Sequence, residues 1–215
     1  MTFHQTLRLL LPLAIIVRGG PLPAQMPNAR EHGPSMSVNF APQSGWTDDN
    51  GILLADIPHD STRKATAPLP GAPCEYSVSI VPQESLGNSW PVLGLQLIDN
   101  RGTAWQLALI RSPGTEGYPS RNTFDFKPKA GTPDATPHPI LTHFDRQAGW
   151  GFGERYRLTL RALADRIEAT VRTSDDWVVF QKTIRYTPDE GRRFQPAIRA
   201  RQMKGSFADP RVRTE

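Results

Sequence analysis

The sequence predicts an all-β fold, a two-sheet antiparallel sandwich, and three observations carry that expectation. Along Glu154–Tyr186, apolar residues recur at alternate positions: Tyr156, Leu158, Leu160, then Ile167, Ala169, Val171, then Val178 and Phe180. Side chains of one parity then face a core and the others face solvent. The same alternation marks Leu93, Leu95, Leu97 and Trp105, Leu107, Leu109, on either side of the turn Asn100-Arg101-Gly102-Thr103. No stretch sustains a helical apolar period, and about ten to twelve short strands at this spacing suit two packed sheets.

Taken in order, Ser37–Phe40 is a first edge strand, and Trp46 pairs with Ile52–Leu54 through the turn Asp48-Asp49-Asn50-Gly51. His59–Pro73 is irregular and punctuated by Pro68, Pro70 and Pro73. Cys74–Val81 alternates, with Cys74, Tyr76, Val78 and Ile80 inward. Val92–Asp99 and Ala104–Ile110 form a hairpin that leaves Gln96 and Gln106 side by side, opposite the leucines. Ser112–Pro139 is a long proline-rich connection with one strand-like piece, Asn122–Phe126. A connection of that length commonly carries a binding function. Ile140–Phe144 is a further strand. The turns Leu163-Ala164-Asp165 and Thr173-Ser174-Asp175-Asp176 join the three late strands, and Arg193–Arg201 with Gly205–Arg213 complete the set.

Composition fits a single domain. The 215 residues include 21 prolines, about twice the usual share. Proline is excluded from helix interiors and central strands, so it favours loops and edges. Mean hydropathy is −0.45, which is not membranous. Residues 1–25 are expected to be an export signal, with the apolar run Leu9–Val17 too short to span a bilayer as a helix. Residues 26–36 form a polar linker, and 37–215 the sandwich domain. Cys74 is the only cysteine, so no intrachain disulfide forms. Export without disulfides fits a bacterial periplasm or exterior. The net charge is only +4, which gives no reason to expect nucleic acid, and no membrane span is expected in the mature chain.

Several segments together resemble the concanavalin A-like lectin/glucanase superfamily of jelly-roll sandwiches. They are Trp46–Leu53, Tyr76–Ile80, Gly94–Asp99 with Trp105–Leu107, Glu154–Leu160, Ile167–Val171 and the closing Gly205–Val212. Within it, the chain is most similar to laminin-G-like and 3-keto-disaccharide hydrolase-type domains. The resemblance implies a glycan ligand on a concave sheet or its rim loops. Hydrolases of the superfamily carry a Glu-x-Asp-x-(x)-Glu strand whose paired carboxylates do the chemistry, and no such spacing occurs here. Gly87-Asn88-Ser89-Trp90 matches only part of the Asn-Ser-Gly stretch of the keto-disaccharide type. Asp209 resembles a position that helps to hold a structural calcium, although no cofactor is required by any motif.

The expected function is therefore an exported carbohydrate-binding module. Its expected ligand contacts are Gln96, Gln106, Arg157 and Trp150, with Asn88, Trp90 and His143 at the rim. Amide side chains offer donors and acceptors to sugar hydroxyls, and the glycines around Trp150 would let its ring stand clear of the backbone. Arg155, Arg157, Arg161, Arg199, Arg201, Arg211 and Arg213 lie on polar-facing positions. If they share one face, acidic or sulfated sugars suit it. If they pair with Glu154, Glu168 and Asp209, the face is merely solvated. As an enzyme, the alternatives are a keto-disaccharide hydrolase-type activity or an acidic-polysaccharide lyase. His143 with Asp145 could act as a general base, or Tyr118 with His143 and Arg121 as a lyase set. A non-catalytic protein-interaction scaffold is the third reading.

Overall fold

The computed structural model describes residues 35–69, 71–117, 119–129 and 149–214. Within them the chain forms eleven strands and no helix. These are β1 (Ser35–Ser37), β2 (Trp46–Asp49), β3 (Ile52–Lys64), β4 (Cys74–Ser85), β5 (Val92–Asp99), β6 (Ala104–Ser112), β7 (Arg121–Lys129), β8 (Tyr156–Ala162), β9 (Arg166–Thr173), β10 (Val178–Arg185) and β11 (Phe194–Thr214). Each of their pairings is antiparallel.

Two layers share the long ribbon of β3 and β11. One layer runs β10-β9-β8-β4-β11, and the other runs β11-β5-β6-β7. The first half of β11 pairs with β5 from Phe194 to Arg201, and the second half pairs with β4 from Met203 to Thr214. Between them Gln202 takes a positive φ of 49°, opposite the Pro58-His59 step where the β3 register shifts. A bulge of this kind bends a strand and re-aims its side chains. The architecture is a two-sheet jelly-roll sandwich, as the alternation predicts.

Three boundaries differ from expectation. Arg193–Arg201 and Gly205–Arg213 are one strand, because the bulge at Gln202 interrupts the alternation without ending the hydrogen bonding. The stretch expected to be irregular from His59 instead continues β3 to Lys64, since it pairs with β11 through its backbone while its side chains show no apolar alternation. The first edge strand is Ser35–Ser37, and Phe40 makes only an isolated bridge to Ala65. The expected export segment 1–25, the Ile140–Phe144 strand and Tyr118, His143 and Asp145 lie outside the described residues.

The core sits between the layers. Leu95, Leu97, Leu107, Leu109, Phe124 and Phe126 face Tyr76, Val78, Ile80, Leu158, Leu160 and Val171, all buried. Phe124 of β7 meets Tyr156 at 5.5 Å and Phe180 at 6.0 Å between ring centroids, closing one layer onto the other. Each large side chain buried here contributes about 1.5–3 kcal/mol. Cys74 is a core residue, as expected, and burial pushes its thiol up to about 12.

Candidate functional site

On the outward face of the β5–β6–β7 layer, the pairing of Gln96 with Gln106 is as the hairpin predicts. Gln96 Nε2 donates to Gln106 Oε1 at 3.0 Å, and Arg199 Nη1 donates to the same oxygen at 2.6 Å. Arg199 also forks onto Asp60, at 2.8 and 2.6 Å. Lys127 lies 2.6 Å from Asp125 on the neighbouring strand. Gln96 and Gln106 are only 1% and 2% exposed. Their amides are therefore engaged with protein rather than offered to a ligand, a correction to the expected role.

Arg157 belongs to the other layer. Its β8 neighbours Tyr156 and Leu158 point into the core, so the guanidinium points out of the opposite side of the sandwich. Gln96, Gln106, Arg157 and Trp150 do not line one cleft. Parity assigns a residue to a face of its own sheet but not to a particular sheet. Several arginines of this outer face are paired with carboxylates. Arg157 and Arg211 reach Asp209 at 2.8 and 2.5 Å, Arg166 reaches Glu168 at 2.9 Å, and Arg172 reaches Asp176 at 3.3 Å. Glu168 and Asp209 take the pairings expected of a solvated face, while Glu154 is taken by the Tyr156 hydroxyl instead.

Asp209 sits in a bulge of β11 with a positive φ of 51°. Burial alone would raise its carboxyl, but the Arg157 and Arg211 hydrogen bonds outweigh that and hold it below its ordinary value. A carboxylate clasped by two guanidiniums is a poor calcium ligand. Among the described residues, no cluster of three or more His, Cys, Asp or Glu side chains could hold a metal.

Trp150 is buried at 4% exposure instead of standing clear. Its indole N–H is shared between the carbonyls of Ile110 at 3.2 Å and Thr123 at 3.1 Å, which pins the Gly149–Gly153 loop over the ends of β6 and β7. The Tyr156 hydroxyl accepts from Gly151 N–H and donates to Glu154. Burial and the Glu154 hydrogen bond push that phenol up to about 12, so it remains a neutral donor.

This pinned loop forms one wall of an accessible rim. Two adjoining clefts, of about 300 and 450 Å³, share Arg111 and Ser120. The first is lined by Gly87, Asn88, Pro91 and Ser112, and the second by Asn122, Thr123 and Phe152. The bend in β11 holds the first wall in place. Gln202 accepts Leu86 N–H on its backbone oxygen at 2.8 Å and Ser89 N–H on its side chain at 3.2 Å. Arg111 donates to Ser120 Oγ at 3.3 Å and lies 5.7 Å from the Phe152 ring centroid. Thr123 Oγ1 is buried and has no hydrogen-bond partner among the described residues. Trp90, beside the first cleft in sequence, is 43% exposed.

Of the expected site residues, Asn88 lines this rim, and Trp90 stands between the lining residues Asn88 and Pro91 in sequence. Arg111, Thr123 and Phe152 are not marked by the sequence: Arg111 follows the last residue of the Ala104–Ile110 strand pattern, and Phe152 lies in a glycine-rich stretch with no alternation. The long Ser112–Pro139 connection was the signal, since Ser112, Pro113 and Ser120 all line the rim.

No known family model matches the sequence, and no curated protein matches it. Solved structures do. A functionally unknown protein from Saccharomyces cerevisiae is similar at a TM-score of 0.59 and 8% identity, covering 86% of this chain and 97% of that one. The VIP36 exoplasmic/lumenal domain, in a form bound to Ca2+ and Man3GlcNAc, is similar at 0.55 and 12% identity, with 85% and 88% covered. The CBM2 module of the evolved Dit protein from Lactobacillus casei BL23 phage J-1 follows at 0.52 and 12%, with 80% and 79% covered. The fold is an antiparallel two-sheet jelly roll, shared with these structures. At these identities the likeness concerns fold alone.

Proposed function

We propose that this protein is an exported carbohydrate-binding module that holds an oligosaccharide across the Arg111 rim. The single observation that carries the reading is the composition of the two adjoining clefts. They combine an exposed aromatic ring, Phe152, with a guanidinium, Arg111, and a side-chain amide, Asn88. Sugar rings have one apolar face that stacks on aromatics and hydroxyls that need donors and acceptors. The structural likeness to a domain bound to Man3GlcNAc and to a phage module called CBM2 supports the same class of ligand.

Glycan-array binding followed by titration calorimetry tests it. Arg111→Ala and Phe152→Ala should each weaken binding about 10-fold or more while the fold is retained. Binding unchanged in both variants, or no binding to any glycan, defeats the proposal. An assay for new reducing ends or unsaturated products on the same glycans reads turnover. Export rests on the apolar run of residues 1–25, and mass spectrometry of the protein recovered from a bacterial periplasm would show a start near residue 26. Among the described residues, no helix is long and apolar enough to cross a membrane.

A further inference from the structure

Three arginines in the described chain are less than a tenth exposed: Arg63, Arg192 and Arg199. Arg199 has Asp60 at 2.6 Å, and Arg192 has Asp99 at 2.9 Å. Arg63 has no ion-pair partner among the described residues. Its Nε donates to the Ala41 carbonyl at 2.5 Å and its Nη2 to Phe40 at 3.3 Å, but the buried Nη1 has no partner. A buried cation without a direct ion pair is a costly arrangement. Burial lowers the Arg63 pKa, and Asp48 opposes that only in part.

Arg63 forms part of the wall of a cleft of about 570 Å³, together with Phe40, Gln43, Trp46 and Asp48. The cleft lies on the β3 side of its layer, separated from the β6 rim by β11 and β5. Trp46 is fixed there by its indole N–H, which donates to Ser61 Oγ at 2.9 Å, and Gln43 Nε2 donates to the same hydroxyl at 2.9 Å. Gln43 and Asp48 are exposed. A bare anion would satisfy Arg63 but be repelled by Asp48. A neutral sugar would suit Asp48 and Gln43 but leave the Arg63 charge unanswered. A ring that carries both a carboxylate and hydroxyls satisfies all three.

We propose that this cleft is a second sugar subsite selective for a uronic-acid-type residue, with the carboxylate on Arg63 and a ring hydroxyl on Asp48 or Gln43. The sugar part deepens the glycan reading of the rim, whereas the carboxylate part rests on Arg63 alone.

Two-dimensional 1H–15N NMR of the full chain separates the two sites, because Trp46 Nε1 reports on this cleft and Trp90 Nε1 on the rim. Methyl glucuronide should move the Trp46 indole signal and bind at least about 10-fold more tightly than methyl glucoside. Arg63→Gln should abolish that preference. Arg63 also ties the Phe40 and Ala41 carbonyls, so should the variant not fold, acetate on the native protein takes its place and must displace the glucuronide competitively. Equal affinity for the two sugars, or glucuronide shifts that ignore both Arg63→Gln and acetate, overturn the subsite. Failure of the rim alone would show as a silent Trp90 beside a responsive Trp46.

Discussion

Gln96 donates to Gln106 across 3.0 Å on the outward face of β5 and β6, and the accepting oxygen also takes Arg199 at 2.6 Å. One carbonyl oxygen thus satisfies two buried donors, and Arg199 carries the network on to Asp60. Polar side chains buried on the wrong side of a sheet are tolerated only when such partners are present.

Gln106→Leu should therefore cost more than Gln96→Leu. The first leaves both Gln96 Nε2 and Arg199 Nη1 without their shared acceptor, a loss of about 2–4 kcal/mol. The second leaves the Arg199 contact intact and should cost about 1 kcal/mol. Urea unfolding of the two variants decides it, and equal losses would contradict the shared-acceptor arrangement.

Gly205 lies on β11 just past the bend. A Cβ there would collide with the Leu93 side chain and with the Val81 backbone carbonyl. Gly205→Ala should destabilise by about 1–3 kcal/mol through overpacking. Combined with Leu93→Ala, the total should be less than the sum of the two single losses, because the second change removes the side-chain clash and leaves only the Val81 carbonyl. Strict additivity in thermal unfolding would refute the contact.

Asp209 gives a pH signature. Its carboxyl is held below the ordinary 3.8, so its contribution to stability is present above that value and is lost as pH falls through the lower folded value. Asp209→Asn should lower Tm at neutral pH by an amount equivalent to no more than about 1 kcal/mol, since the Arg157–Asp209–Arg211 cluster is largely exposed. The gap between variant and parent should close as pH drops below 3.8. A gap that persists unchanged into strong acid would rule this out.

Cys74 should be silent. It is 1% exposed and its thiol is pushed up to about 12 by burial, so almost no thiolate is available at mildly alkaline pH. A chromogenic disulfide reagent should label the unfolded chain fully and the native chain hardly at all. Rapid native labelling would place the side chain elsewhere.

The sandwich was legible because period-two burial is a local property. The register of Leu95 with Leu107 and Gln96 with Gln106 follows from the hairpin alone. The β8–β9–β10 meander follows equally well from its turns. The site was much less legible. Gln96 and Arg157 both alternate with leucines, yet they emerge from opposite sides of the molecule. Only long-range pairing of β11 with β4 and β5 decides which layer each joins. Trp150 looked free because glycines surround it, but the carbonyls that capture its N–H come from strands 27 and 40 residues away. Arg63 lies in a stretch with no apolar pattern, so nothing local marks it.

One backbone, β11, is hydrogen-bonded in both layers at once. Its two halves belong to different ladders, but β3 is paired to both, so loss of either layer strips one flank of the β3–β11 ribbon on which the other layer rests. Slowly exchanging amides in β4 and in β5 should accordingly share one opening free energy, that of global unfolding.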